Sequence, residues 1–144
     1  MKIEKMQISH LDRVSEIEKM CFSHPWSRQS LESEFTNDTS VFFAATENDD
    51  VIGYIGASVV LDEGYIFNIA VDENHRCKGV GSALVDSLVT YGKKNNLSFL
   101  TLEVRQSNIG AMSLYSKFGF IKVGERKDYY SQPKENAILM TKYF

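Results

Sequence analysis

The chain has 144 residues, 43% hydrophobic and 24% charged, the balance of an ordinary soluble globule, and its length fits one domain over 1–144. A net charge of −3 with no long basic block argues against a sequence-independent grip on nucleic acid and suits a basic or amino-bearing partner better. Cys21 and Cys77 make no disulfide framework, "MKIEKMQISH" has no apolar signal core, and no apolar run nears the ~20 residues needed to cross a membrane, so the expected compartment is the cytoplasm.

"KIEKMQI" alternates apolar and polar residues and predicts a first strand. Ser9, with Asp12 three residues on, is expected to cap a helix that buries Leu11, Val14, Ile17 and Cys21. "HPWSRQSLESEF" predicts a turn at Pro25 and a short second helix capped by Ser27. "VFFAATE" and "VIGYIGASVVL" read as strands joined by the turn "NDD", and "GYIFNIAVDE" as another, with Gly64 turning the chain into it. Val80, Leu84, Leu88 and Tyr91 recur at helical spacing and predict a helix over 81–94. In "SFLTLEVR", Leu100, Leu102 and Val104 face one way and Thr101, Glu103 and Arg105 the other. Ser107 or Asn108 opens a last helix carrying Ala111, Leu114, Tyr115 and Phe118, and Gly119 ends it. "FIKVGERKDYY" and "AILMTKYF" close the chain as paired strands around a loop, "SQPKENA". No repeat or linker interrupts the series. The order β-α-α-β-β-β-α-β-α-β-β predicts an α/β fold, a mixed sheet of about seven strands flanked by four helices.

The stretch "HRCKGVGSAL" sits between a strand and a helix. A Walker loop would need a Gly-Lys pair after four residues, and here Lys78 precedes its glycine. A dinucleotide fingerprint would need a third glycine where the chain has Leu84. In isolation the pair would be a helix-opening turn. In context, glycines admit backbone N–H groups close to a ligand, the helix start offers unpaired donors, and Arg76 and Lys78 add charge. Together these describe a phosphate cradle.

"VDENHRCKGVGSAL" resembles the acyl-cofactor loop of the GNAT N-acetyltransferase family, Arg/Gln-x-x-Gly-x-Gly/Ala, with Arg76, Gly79 and Gly81 in place. The likeness runs over nearly the whole chain through "HPWS", "VVLDE", "FNIAVD", "LEVRQSN", "AMSLYSKFGF" and "RKDYY", in the family's order. It implies the GNAT fold and acetyl-CoA as cosubstrate, with CoA as product. It further implies an acceptor that is a protein or peptide amino terminus, the amino-terminal alanine of a small-subunit ribosomal protein, served by a monomer or weak dimer. The resemblance assigns the pyrophosphate of the cofactor to Arg76, Cys77, Lys78, Gly79, Val80, Gly81 and Ser82. It assigns the pantetheine arm to the Asn108 side chain and to the backbone of Ile69, Ala70 and Val71, which would pair with it like an added strand.

Acetyl transfer to an amine needs a neutral nucleophile, and a free α-amino group has a pKa near 8, so a base must take its proton. By alternation alone, Glu103 is a strand-surface glutamate paired with Arg105 or another nearby cation. The resemblance makes it the general base, acting through a water. Tyr115, four residues after Ala111, reads on spacing as a core aromatic with its hydroxyl at the edge. The resemblance makes it the general acid that protonates the departing thiolate. Asn108 reads on position as a helix cap. Pro25, Trp26, Tyr129 and Tyr130 are candidate aromatic and apolar walls for the acceptor, and equally candidates for core-edge packing.

Cys21, His24, His75 and Cys77 form ligand-like pairs but fit no closed tetrahedral spacing, so no metal is expected. Two rival functions remain: the same chemistry on a lysine side chain or a small amine, and a binding module that holds CoA without turnover.

Overall fold

A computed structural model describes all 144 residues. The strands are β1 (Lys2–Lys5), β2 (Ser40–Glu47), β3 (Asp50–Val60), β4 (Glu63–Val71), β5 (Phe99–Arg105), β6 (Ile121–Ser131) and β7 (Lys134–Tyr143). The helices are α1 (Leu11–Cys21), α2 (Arg28–Phe35), α3 (Val80–Lys94) and α4 (Ile109–Lys117), with 3-10 turns at Ile8–His10 and Glu73–His75. One seven-stranded sheet runs in the order β1-β2-β3-β4-β5-β7-β6. Every pairing is antiparallel except β4 with β5. The α3 crossover returns the chain for that parallel step, as such a step requires.

Period-two alternation gives the sheet two apolar faces, and each face takes its own helices. On one side Tyr54 and Ala44 pack under Leu11, Val14 and Ile17 of α1 and Leu31 of α2. On the other, Ile55, Ala57, Leu100 and Leu102 pack under Leu84, Val85 and Leu88 of α3 and Tyr115 of α4. Leu84 and Leu88 are wholly buried, and each such side chain contributes about 2 kcal/mol by its removal from water.

The structure corrects three local expectations. Ser9 does not cap α1: it lies inside the first 3-10 turn, whose start is closed by Gln7 N–H donating to His10 Nδ1 at 3.0 Å. Gly64 is not the turn into β4, because Leu61 (φ 56°) makes that turn and Gly64 already lies in the strand. A Cβ at Gly64 would fall 2.5 Å from the Leu100 side chain, so the glycine lets β4 and β5 start close together. "SQPKENA" is mostly strand, since the ladder between β6 and β7 reaches Ser131 and Lys134.

The feature that positions the site is where β4 and β5 stop pairing. Their register covers only Glu63–Phe99, Gly64–Leu100 and Tyr65–Thr101. Beyond it β5 follows β7 along its full length while β4 follows β3. Gly56 faces Asn68 and Ala57 faces Ile66, which leaves Phe67 as the extra residue of a bulge. A bulge bends its strand and sharpens its twist, and here it sits at the point of divergence. Gly56 permits it: a Cβ there would lie 2.6 Å from the Phe67 ring and 2.7 Å from that of Phe42.

Candidate active site

Between the parted strands lies a cavity of about 640 Å³. Its walls come from the end of α1, the α1–α2 loop, β4 (Ile66 to Ile69), β5 (Leu102 to Arg105), α4, and the end of β6 with its turn into β7. Glu103, Tyr115, Asn108, Ile69, Trp26, Tyr129 and Tyr130 all line it. Seven of the residues singled out by sequence therefore converge on one space from five elements. Pro25 does not join them. It is exposed and contributes nothing to the wall, although His24 and Trp26 on either side of it do.

Segment 76–82 lies outside that lining, beyond the end of β4. Arg76, Cys77, Lys78 and Gly79 are exposed, and Cys77 (φ 62°) and Gly79 (φ 83°) are both left-handed. Gly79 is the residue before α3 and no side chain caps the helix. Its first internal bond is Ala83 N–H to Gly79 O at 3.0 Å, so the N–H groups of Val80, Gly81 and Ser82 have no partner within the helix. A Cβ at Gly79 would meet nothing within 4 Å. Open space, orphan donors and a helix start fit an anionic phosphate. Gly81 serves packing instead, because a Cβ there would press within 3.2 Å of Leu114, and its absence lets α3 approach α4. The Val80 side chain is buried, which leaves only its backbone for a ligand. Arg76 turns back, donating Nε–H to Val71 O at 3.2 Å with Nη2 3.1 Å from Cys21 Sγ.

Along β4, Tyr54 pairs with Ala70 and Asp72 N–H donates to Ile52 O, so Ala70 and Asp72 spend their backbone groups on β3. Alternation then turns the backbone of Ile69 and Val71 towards the opening. Val71 O is taken by Arg76 and by the Cys21 thiol.

Glu103 projects from β5 to the cavity, and its partner is Arg126 of β6, with Nε 3.1 Å from Oε1, rather than Arg105. The nearby Glu103 carboxylate raises the Tyr129 phenol above its ordinary range. Arg105 instead holds the β6–β7 turn: it donates to Pro133 O (2.9 Å), Gln132 O (3.1 Å) and Glu135 Oε1 (3.2 Å), with its guanidinium 4.2 Å from the Tyr130 ring centre. Tyr115 is 4% exposed and leans on Phe120. Burial, with a smaller contribution from nearby Tyr130, pushes its phenol well above the usual value. Asn108 caps α4 by accepting Ala111 N–H at 3.1 Å.

Trp26 stacks on Phe67 with ring centres 5.3 Å apart, so the bulge and the α1–α2 loop form one aromatic wall. Across the opening, His24 Nε2 lies 3.0 Å from Gln132 Oε1, joining that loop to the β6–β7 turn. Several cavity residues carry no expectation from sequence, and Glu18 is the one that bears charge. Glu18 of α1 is completely buried and accepts hydrogen bonds from Tyr54 Oη, Asn68 Nδ2 and Trp26 N–H. Burial pushes its carboxyl up from the ordinary range, against the opposing pull of the Tyr54 and Trp26 hydrogen bonds. A signal existed: Glu18 stands seven residues after Leu11 and four after Val14, a charge on the apolar stripe. No three His, Cys, Asp or Glu side chains converge where a metal could sit.

The family model for acetyltransferases of the GNAT family matches residues 11–120. The chain is 34% identical to the Escherichia coli ribosomal protein bS18-alanine N-acetyltransferase, over 96% of this chain and 94% of that one. It is 35% identical to the protein of the same name from Haemophilus influenzae, over 98% and 97%. The crystal structure of the Escherichia coli enzyme superposes with a TM-score of 0.92 at 33% identity, covering 99% of this chain and 92% of that one. This chain belongs to the GNAT acetyltransferase family. It is an acyltransferase that uses acetyl-CoA. No helix in it is long and apolar enough to cross a membrane.

Proposed function

We propose that this chain, acting as one domain, moves the acetyl group of acetyl-CoA directly onto the α-amine of a protein amino terminus. The acceptor is the amino-terminal alanine of a small-subunit ribosomal protein. The observation that carries this reading is the cavity between the parted strands, which receives Glu103 from β5 and Tyr115 from α4. The names of the relatives at 34% and 35% identity support the choice of acceptor.

Segment 76–82 holds the cofactor's phosphates on backbone N–H groups, and the pantetheine arm lies along Ile69 to Val71 with Asn108 beside it. The amine nitrogen attacks the thioester carbon. A new C–N bond forms and the C–S bond breaks. Glu103 takes the amine's proton through a water, and Tyr115 supplies one to the leaving thiolate. The burial that raises the Tyr115 phenol keeps it protonated throughout the neutral range, the state an acid must hold. The same low dielectric raises the thiolate's demand for a proton, so donor and acceptor move together. Trp26, Tyr129 and Tyr130 wall the acceptor side.

The test is release of free thiol from acetyl-CoA with two peptides offered separately. One has a free amino-terminal alanine and no lysine; the other has a blocked terminus and an internal lysine. Turnover with the first alone is expected. Turnover with the second alone would move the acceptor to a lysine side chain.

A further inference from the structure

We propose that Glu18 is a positioning residue for the acceptor: one buried carboxylate ties α1, β3, β4 and the α1–α2 loop together and so sets the wall against which the amine is held. The inference rests on the acetyl-transfer reading above and adds a residue to it.

Glu18 is wholly buried and lines the cavity. Its three donors come from three different places in the chain: Tyr54 Oη on β3, Asn68 Nδ2 on β4, and Trp26 N–H at 3.1 Å from the loop. Asn68 also reaches Tyr54 Oη at 3.0 Å, which closes the network. No Lys, Arg or His forms an ion pair with Glu18, whereas the cavity's other carboxylate, Glu103, has an arginine. Removing a carboxylate from water is costly, and an apolar side chain of similar volume at such a site often supports folding as well or better. What an apolar side chain would lack is the acceptor atoms that fix three donors.

Two of those donors belong to the site. Asn68 neighbours Phe67, the bulged residue where β4 leaves β5. The Trp26 backbone carries the indole that stacks on Phe67. Glu18 therefore holds both halves of the Trp26–Phe67 wall in register from behind. None of its hydrogen bonds reaches segment 76–82 or the Ile69–Val71 edge, so its influence is expected on the acceptor rather than the cofactor.

Glu18→Gln keeps the volume but turns one oxygen into a donor, so at least one of the three bonds is lost. Tyr54→Phe keeps the ring stacked on Phe42 and removes a single donor. Both are assayed by thiol release with the alanine peptide, varying each substrate in turn. For Glu18→Gln the acceptor KM rises about tenfold, the order of one lost hydrogen bond to a charged group, while the acetyl-CoA KM stays within about twofold. Tyr54→Phe shifts the same constant about threefold. Trp26 is the chain's single tryptophan, so acrylamide quenching of its fluorescence reads the loop directly and should deepen in both variants.

Unchanged acceptor KM in the folded variants, a parallel rise in both KM values, or unchanged quenching would each overturn the proposal. If Glu18→Gln does not fold, Tyr54→Phe decides alone. Were the wild type to acetylate only the lysine peptide, the acceptor reading would fall, yet the quenching and the same KM comparison would still judge Glu18.

Discussion

The two ends of the site are built from different materials. At the end proposed for the cofactor, segment 76–82 offers exposed backbone, two left-handed residues and the open start of α3. At the end proposed for the acceptor the wall is a set of side-chain ties: Glu103 to Arg126, Arg105 to the β6–β7 turn, His24 to Gln132, and Glu18 to Trp26. A backbone cradle depends on which residues can adopt the shape. A side-chain wall depends on which atoms remain. Substitution should therefore reach the two ends by separate routes, one through conformation and one through deletion.

The largest effects belong to the chemistry between the two ends. Glu103→Gln is expected to lower kcat at neutral pH about a hundredfold or more, the usual worth of a positioned acid or base, with the acetyl-CoA KM little changed. Tyr115→Phe should lower kcat about as much, and steady-state thiol release measures both. The Tyr115 hydroxyl opens to the cavity and is not a buried unpaired atom, so the thermal midpoint of Tyr115→Phe should stay close to that of the wild type. Wild-type kcat in both variants would remove the assigned acid–base roles.

Next comes a change of conformation at the cofactor end. A Cβ at Gly79 meets nothing within 4 Å, yet Gly79→Val forces a β-branched residue into φ 83°. Left-handed backbone costs an L residue about 1–2 kcal/mol, enough for about a tenfold rise in acetyl-CoA KM if the segment relaxes out of its cradle shape. The acceptor KM should stay put. Gly81→Ala would act differently, through its 3.2 Å approach to Leu114, and should appear as lost stability.

A smaller effect is expected from deletion at the acceptor end. Arg105→Met removes the donors to Gln132 O, Pro133 O and Glu135 while keeping the apolar stem. Freed from that tie the β6–β7 turn should move, raising the acceptor KM about fivefold, since each exposed bond of this kind is worth about 1 kcal/mol or less. An acetyl-CoA KM that rose instead would mean that the turn serves the cofactor, and the division between the ends would be redrawn.

That division also explains what could be read from the chain before its structure. Gly79 was legible because a left-handed position narrows the choice of residue, and α3 because Leu84 and Leu88 repeat at its pitch. Leu100, Leu102 and Val104 exposed the alternation of β5, and with it the cavity-facing Glu103. The ties of the acceptor end were hidden because their partners are distant in sequence: 103 with 126, 105 with 135, 24 with 132, and 18 with 54 and 68. No local pattern announces a pair that only the folded sheet brings together. Ser9 misled because His10 Nδ1 accepts the Gln7 N–H and a 3-10 turn displaces the helix start. Gly64 misled because a glycine required for the approach of a leucine reads in sequence like one required for a turn.

The smallest predicted effect on catalysis is the sharpest check on the backbone half of the comparison. Ile69 presents its backbone to the cavity, while its side chain packs partly buried against the core beneath α3 and α4. Ile69→Ala should lower stability by about 2 kcal/mol, because it removes buried methyl and methylene groups. That loss would show as a fall of a few degrees in the thermal midpoint. The acetyl-CoA KM should remain within about twofold of the wild type, since the N–H and C=O groups proposed to meet the pantetheine arm survive the substitution. A tenfold rise in KM without a loss of stability would reverse both expectations. It would place the Ile69 side chain, rather than its backbone, against the cofactor, and the cofactor end would then be a side-chain wall like its opposite.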